Sequence, residues 1–315
     1  MAGWLREPHN RGLVILALVI VIVPIAFPSS FYFRIGALIF ISALAVTGLN
    51  ILMGLAGQVS LGHAGFFGIG AYTVAIGPAH LGLAPWVGLL LAAVLAGLLA
   101  WLVGRPILRL KGHYLAIATL GFGILVHMVL TNEAGWTGGP DGMPVARLVL
   151  FGWSVKGSQT WYWVSGLVLM IGVWGALNIL GSPTGRAFRA LHDSEVAAGM
   201  TGIDVARYKL LAFTLSAVYA SVAGSMIAFF NGFLTPDAAG FLHSIALVTM
   251  VVLGGMGSVF GGIVGAALLV TLPQLLAGFH DYEHLVLGLI MMGIMIFMRQ
   301  GLLPGLVELF RGKRK

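Results

Sequence analysis

The chain has 315 residues, 59% of them hydrophobic and 9% charged, with a mean hydropathy of +1.01, whereas a soluble globular domain carries about 25% charge. A soluble core of this size is excluded, and the unit of organisation becomes the membrane span, about 20 apolar residues for a hydrocarbon layer about 30 Å thick. Cysteine is absent, which removes disulfides, thiolate metal sites and cysteine nucleophiles, and the net charge of +7 points to nucleic acid only if the basic residues share one surface rather than one membrane side.

Apolar runs long enough to span, or nearly so, lie at 12–28, 35–56, 66–80, 85–104, 114–131, 161–181, 208–231, 243–256, 259–278 and 284–298. The expected fold class is therefore all-α: a polytopic membrane protein with about ten transmembrane helices in a single transmembrane domain over 1–315. The first run, Leu13 to Phe27, follows Arg6 and Arg11 as a signal peptide would. Pro28-Ser-Ser-Phe31 lacks a small-x-small cleavage pattern, so the run reads as a retained first helix. Runs 66–80 and 243–256 are short and Gly-rich, the pattern of half-helices that line a cavity in transport proteins.

Placing every Lys and Arg in a loop gives 14 on one side and 3 (Arg34, Arg147 and Lys156) on the other. Positive charge accumulates on the cytoplasmic side, so both termini are expected there, with 299–315 as a basic cytoplasmic tail. The basic residues thus sort by membrane side, and no nucleic-acid partner is expected. Trp86 and Trp101 bracket one run and Trp161 and Trp163 open another, as interfacial indoles do. The connection 132–160, which carries Gly138-Gly-Pro-Asp-Gly142, is an external, periplasmic loop rich in turn formers.

Three segments carry functional signals. In Gly48 to Tyr72 glycine recurs at 48, 54, 57, 62, 65, 68 and 70. That density either breaks a helix, which a membrane tolerates only where protein or water satisfies the freed peptides, or brings backbones into close contact. In the first case Asn50, Gln58, Ser60 and His63 are candidates for the translocation path, with Gly57, Gly62 and Gly65 as hinges. In the second, His63 is simply hydrogen-bonded to a neighbouring helix. The run Gly254 to Gly265 is a second Gly-rich break, with Gly255 and Gly257 as hinges. Gly57 to Ser60 and Gly255 to Ser258 share a G-x-x-S spacing, as an internal repeat would.

The third segment, 182–207, lies between spans. Ser182 and Pro183 offer a helix start, and Gly199 and Gly202 a stop. Phe188, Leu191 and Glu195 are spaced three and four apart, on one face of a single short helix outside the bilayer. Its mixed charge (Arg186, Arg189, Asp193, Glu195) suits a groove on a protein partner better than a lipid surface.

No G-x-x-x-x-G-K-[ST] phosphate loop occurs, and the carboxylates fall in loops or at helix ends, so neither ATP hydrolysis by that device nor ion coupling through a buried acid is indicated. The nine histidines show no H-E-x-x-H or comparable pair; His280 and His284 stand four apart beside Asp281 and Glu283, an interfacial arrangement rather than a metal site. No catalytic residue, metal site or enzyme chemistry is read.

These segments carry a family resemblance. The Gly-Gln-Val-Ser-Leu-Gly-His-Ala-Gly core beginning at Gly57, the stretch Leu110-Lys-Gly-His-Tyr-Leu-Ala-Ile-Ala-Thr-Leu-Gly-Phe122, the loop Thr137 to Gly142 and the segment Gly185 to Phe213 resemble the permeases of branched-chain amino-acid ABC transporters, nearest to the M-type permeases of the leucine/isoleucine/valine system. The resemblance implies a second permease as heterodimer partner, two cytoplasmic ATPases that use the ATP, and a periplasmic substrate-binding protein, with no cofactor in this chain. It makes 182–207 a coupling helix for the ATPases through Arg186, Phe188, Arg189, Leu191, Asp193, Glu195 and Gly202, although Glu195, Ala197, Ala198 and Gly202 only loosely echo the family's E-A-A…G pattern. Related importers carry urea, short amides or other amino acids; a passive facilitator or a single-chain secondary transporter are the other classes.

Overall fold

The computed structural model describes residues 8–150 and 153–276, with 288, 289, 292, 293, 296, 301–303 and 305. The expected run at 284–298 and the basic tail at 299–315 are described only at those scattered positions, and His280, Asp281, Glu283 and His284 lie outside the described residues.

The remaining nine expected runs are all helices: α1 (Pro8–Ala26), α2 (Ser30–Asn50), α3 (His63–Leu81), α4 (Pro85–Ile107), α5 (His113–Asn132), α7 (Ser158–Gly181), α10 (Val205–Asn231), α11 (Phe241–Gly254) and α12 (Val259–Leu276). Six are long and apolar enough to cross a membrane: α2 with the turn that follows it, α4, α5, α7, α10 and α12. Helices α1 and α11 have shorter apolar stretches, and α3 runs 19 residues between two polar ends, His63 and His80. Between the spans lie three short helices, α6 (Ala134–Thr137), α8 (Pro183–Asp193) and α9 (Glu195–Met200).

Helix α2 is the axis, with 83% of its apolar window inside the protein, against 28% for α4 and 22% for α5. It packs against α7, α10 and α12, while α10 closes on α3 and α4. The α4–α10 contact shows why. Gly88, Ala92, Ala96, Ala100 and Gly104, spaced four apart, form the buried stripe of α4. Small side chains let helix backbones approach where lipid offers no hydrophobic force to drive association. Hydroxyls tie α10 to both neighbours: Ser221 Oγ donates to the Ala92 carbonyl of α4 at 2.9 Å and Ser225 Oγ to the Gly70 carbonyl of α3 at 3.0 Å.

Opposite the end that carries α8 and α9, the 132–160 connection is folded. Thr137 Oγ1 donates to the Leu130 carbonyl (2.7 Å) and accepts from the Gly139 N–H (3.1 Å), closing the turn after α6. Strand β1 (Met143–Pro144) pairs antiparallel with β4 (Phe233–Leu234), and β2 (Val149–Leu150) with β3 (Trp153–Ser154). A 3-10 turn, Pro236–Ala239, wedges between α3 and α5, where His127 Nδ1 lies 3.0 Å from the Pro236 carbonyl.

Candidate coupling and gating site

Helix α2 does not stop cleanly. After Asn50 the ladder widens into a π-turn, Ile51–Leu55, in which the Ala56 N–H donates to the Ile51 carbonyl, and the chain then reverses at Gly57, φ +68°. Only glycine adopts that conformation cheaply. A β-carbon there would also press on the His192 ring at 3.1 Å, so the break abuts α8. Residues Gln58 to Gly62 connect this turn to α3 without regular structure.

Asn50 spans the two Gly-rich breaks. Its Oδ1 accepts from the Gly257 N–H at 2.8 Å and its Nδ2 donates to the Ser258 carbonyl at 2.7 Å. The Gly257 N–H freed between α11 and α12 is thereby satisfied by the last residue of α2, the accounting a membrane interior requires, and the Ser258 carbonyl accepts from Asn50 in addition to the Gly262 N–H. Gly255 and Gly257, at φ +115° and +82°, make the second break. The two expected breaks therefore meet each other.

Ser60 and His63 form a buried chain with a residue the sequence did not single out. Ser60 Oγ lies 2.7 Å from His63 Nδ1, and His63 Nε2 lies 2.7 Å from Ser216 Oγ on α10. A neutral imidazole donates from one nitrogen and accepts at the other, so one serine gives its proton to the ring and the other takes one. Phe66 and Phe213 stand edge-on to the imidazole, at centroid distances of 5.8 and 5.9 Å. Of the first amides of α3, which a helix start cannot satisfy internally, Ala64 N–H donates to Ser244 Oγ (3.0 Å), and just ahead of the helix Leu61 N–H donates to Thr119 Oγ1 (3.1 Å). Gly62 lies against the Thr119 carbonyl and Gly65 3.3 Å from the Gly123 Cα, both as β-carbon positions, so these two glycines serve close approach to α5.

Gln58 is different. It is 3% exposed, yet neither its Nε2 nor its Oε1 has a hydrogen-bond partner. In this single chain Asn50, Ser60 and His63 are satisfied and enclosed; among the four path candidates the unsatisfied polar group is Gln58.

Where one amphipathic helix was expected at 182–207, two occur. Ser182 Oγ accepts from the Gly185 N–H (3.4 Å) with Pro183 in the first position, so α8 starts as anticipated. It ends at Asp193 because Ser194 turns extended (φ −165°) and caps α9, its Oγ accepting from the Ala197 N–H at 3.2 Å. Glu195 consequently sits on a different helix from Phe188 and Leu191. Phe188 and Leu191 are buried, Phe188 edge-on to Tyr208 at 6.3 Å. Arg189 donates to the Leu180 carbonyl at 3.2 Å, capping α7, while Arg186 and Asp193 face outward. Glu195 pairs with Lys209 of α10, which is 3% exposed. Gly202, at φ +86°, makes the turn into α10.

Sequence reasoning missed Ser216, Thr119 and Ser244, because single hydroxyls on apolar helices carry no pattern of their own. It also missed Val196 and Met200. These stand four apart on α9 and are 70% and 86% exposed, a small apolar tip beyond the last turn of α8.

A bundle of long apolar helices with two mutually clamped breaks and a capped helix pair at one end defines an all-α polytopic membrane protein. The chain belongs to the family described as branched-chain amino acid transport system / permease component, which it matches over residues 31–296. It is 39% identical to the high-affinity branched-chain amino acid transport system permease proteins LivM of Salmonella typhimurium and of Escherichia coli, over 82% of this chain and 66% of theirs. The chain thus spans just under two thirds of the length of those relatives. It is 25% identical to the corresponding LivH of Salmonella typhimurium, over 83% of this chain and 90% of that one. No solved structure matches it.

Proposed function

We propose that this chain is a membrane-spanning permease subunit of an ATP-driven importer for branched-chain amino acids, forming the translocation path with a second, different permease. Two cytoplasmic ATPases bind at its basic end, a periplasmic binding protein delivers leucine, isoleucine or valine to the other, and the chain lies in a bacterial inner membrane with both termini cytoplasmic. The observation that carries the reading is the α8–α9 pair. It is docked on α10 through Glu195–Lys209 and Phe188–Tyr208, touches the α2 break at Gly57–His192, and presents Val196 and Met200 outward.

ATP binding closes the two ATPases and moves α8–α9. Because Gly57 abuts α8, that motion reaches the π-turn and, through Asn50, the α11–α12 break. A motion of this kind shifts a population only if the ATPases bind one arrangement of α8–α9 better than the other. Asn50, Gln58, Ser60 and His63 sit at the point where that motion would open or close the path.

The test is purification of the tagged chain from its native membrane with mass spectrometry of its companions, alongside leucine uptake in cells lacking it. A second permease and two ATPases with reduced uptake are expected. A chain that purifies alone, with uptake unchanged, would leave a facilitator as the better reading.

A further inference from the structure

At the basic end of the bundle a groove of about 1110 Å³ lies between the last turn of α4, the α4–α5 connection and the starts of α9 and α10. Five cationic residues and two carboxylates line it. Glu195 is already committed to Lys209, and Asp204 caps α10, its Oδ1 accepting from the Arg207 N–H at 3.1 Å. Arg105, Arg109, Lys111 and the Arg207 guanidinium are left without a carboxylate in ion-pair contact among the described residues. Sorting of positive charge to one membrane side explains why these residues lie at this end. It does not explain why they converge on one concavity, where like charges repel.

The wall of the groove is as informative as its charge. The Arg105 Cζ lies over the Trp101 ring, 3.6 Å from its centroid, which sets a guanidinium beside an indole, the residue type favoured at the depth where headgroups lie. On the same helix, Leu102 beside Trp101 and Leu98 one turn deeper are 60% and 59% exposed. Positions 98, 101, 102 and 105 share one helix face, so a positively charged bowl opens directly onto an apolar, membrane-facing strip.

We infer that this groove is a binding site for an anionic phospholipid, its phosphate held by Arg105, Arg109, Lys111 and Arg207 and an acyl chain running along Leu98 and Leu102. A free phosphate would use the cations and leave the strip idle; a cytoplasmic protein would use the α9 rim, where Val196 and Met200 also line the groove, and not reach as deep as Leu98. The bound lipid ties the end of α4 to the α9–α10 corner and so braces the coupling segment from the membrane side. The inference rests on the membrane placement of α4, not on the importer reading, and its test reads lipid rather than transport.

The full chain in a neutral detergent is titrated with phosphatidylglycerol, with phosphatidylcholine of the same acyl chains, and with inorganic phosphate. Retained lipid is counted by native mass spectrometry and the rise in unfolding temperature is followed. Phosphatidylglycerol is expected to be retained and to raise the midpoint, with the other two inert. The triple variant Arg105→Gln/Arg109→Gln/Lys111→Gln is expected to weaken that response about a hundredfold, since each basic residue near a lipid surface contributes about a fivefold factor. The triple Arg34→Gln/Arg147→Gln/Lys156→Gln, which removes equal charge from the other end, should leave it unchanged. If the first triple does not fold, Arg109→Gln alone is expected to weaken it about fivefold. Equal responses to the two lipids, equal losses in the two triples, or a response to phosphate alone would each overturn the lipid site. Lipid retained by the first triple while cytoplasmic ATPases no longer co-purify with it would give the groove to a protein partner instead.

Discussion

Along α4 the small residues Gly88, Ala92, Ala96, Ala100 and Gly104 recur every fourth position and the helix stays whole, while between Gly48 and Gly65 small residues recur irregularly and the helix opens into a π-turn and reverses at Gly57. Both regions bring backbones close: Gly70 and Gly224 meet the backbones of Ser221 and Phe67 in the bundle, and Gly54 meets that of Gly257 at the breaks. What separates them is where the freed or crowded peptides find partners. In the α4–α10 seam the helices run continuously and a hydroxyl adds to their own ladders; between the two breaks, the hydrogen bonds that join them run through one amide side chain, Asn50. A seam of the first kind resists motion as a packed unit. A junction of the second kind can exchange one set of partners for another, which is what a bistable element needs.

Substitutions should separate the two. The largest effect is expected in the bundle, where α10 meets α3: in Gly224→Val the added carbons strike the Phe67 carbonyl, at a cost of about 3 kcal/mol or more, and the chain should fail to elute as a folded species in detergent. Gly121→Ala on α5, where nothing lies within 4 Å of the new carbon, should elute normally. At the breaks, Asn50→Leu leaves the Gly257 N–H without its partner, while the Ser258 carbonyl keeps the Gly262 N–H at 3.1 Å, a loss of about 1–3 kcal/mol. The variant should still insert and assemble, with a lowered unfolding temperature and reduced leucine uptake. Full uptake in that variant would remove the clamp from the mechanism.

Much of the difference was legible beforehand, and for identifiable reasons. The spans were readable because membrane thickness imposes a length and a composition, and nine of the runs became helices with ends shifted by a few residues. The breaks were readable from glycine density, but nothing in the sequence said that the two would meet. Two things were not readable. The α8–α9 division turns on Ser194 acting as a second cap, a local choice that the spacing of Phe188, Leu191 and Glu195 argued against. The partners of His63 and Asn50 lie 153 and 207 residues away in the chain, so no spacing rule could find Ser216 or Gly257; only packing does.

The coupling segment gives an intermediate effect. Glu195→Arg sets a second cation against Lys209, which is 3% exposed. Breaking a fully buried pair costs about 3–5 kcal/mol, but the Glu195 side chain is 31% exposed and water recovers part of that, leaving about 1–2 kcal/mol. The subunit should remain inserted, with ATP hydrolysis by the reconstituted assembly persisting while uptake falls. Normal uptake alongside normal hydrolysis would argue that α9 carries no coupling.

The smallest change in stability, and the sharpest probe of the breaks, is expected at Gln58. A buried amide with no partner costs about 1–3 kcal/mol relative to one that is satisfied, and a side chain of similar volume without polar atoms avoids that cost. Gln58→Leu should therefore match or exceed the parent in unfolding temperature, by the equivalent of about 1 kcal/mol, unlike Asn50→Leu a few residues away. Uptake then decides what the amide is for. If the break changes partners during transport, Gln58 acquires its hydrogen bonds in the other arrangement, and the leucine variant favours the arrangement described here by the same amount that it stabilises it, so a more stable protein transports more slowly. If uptake matches the parent while stability rises, the junction around Gln58 does not rearrange, and the moving part must be sought in the Asn50 clamp and the helices on either side of it.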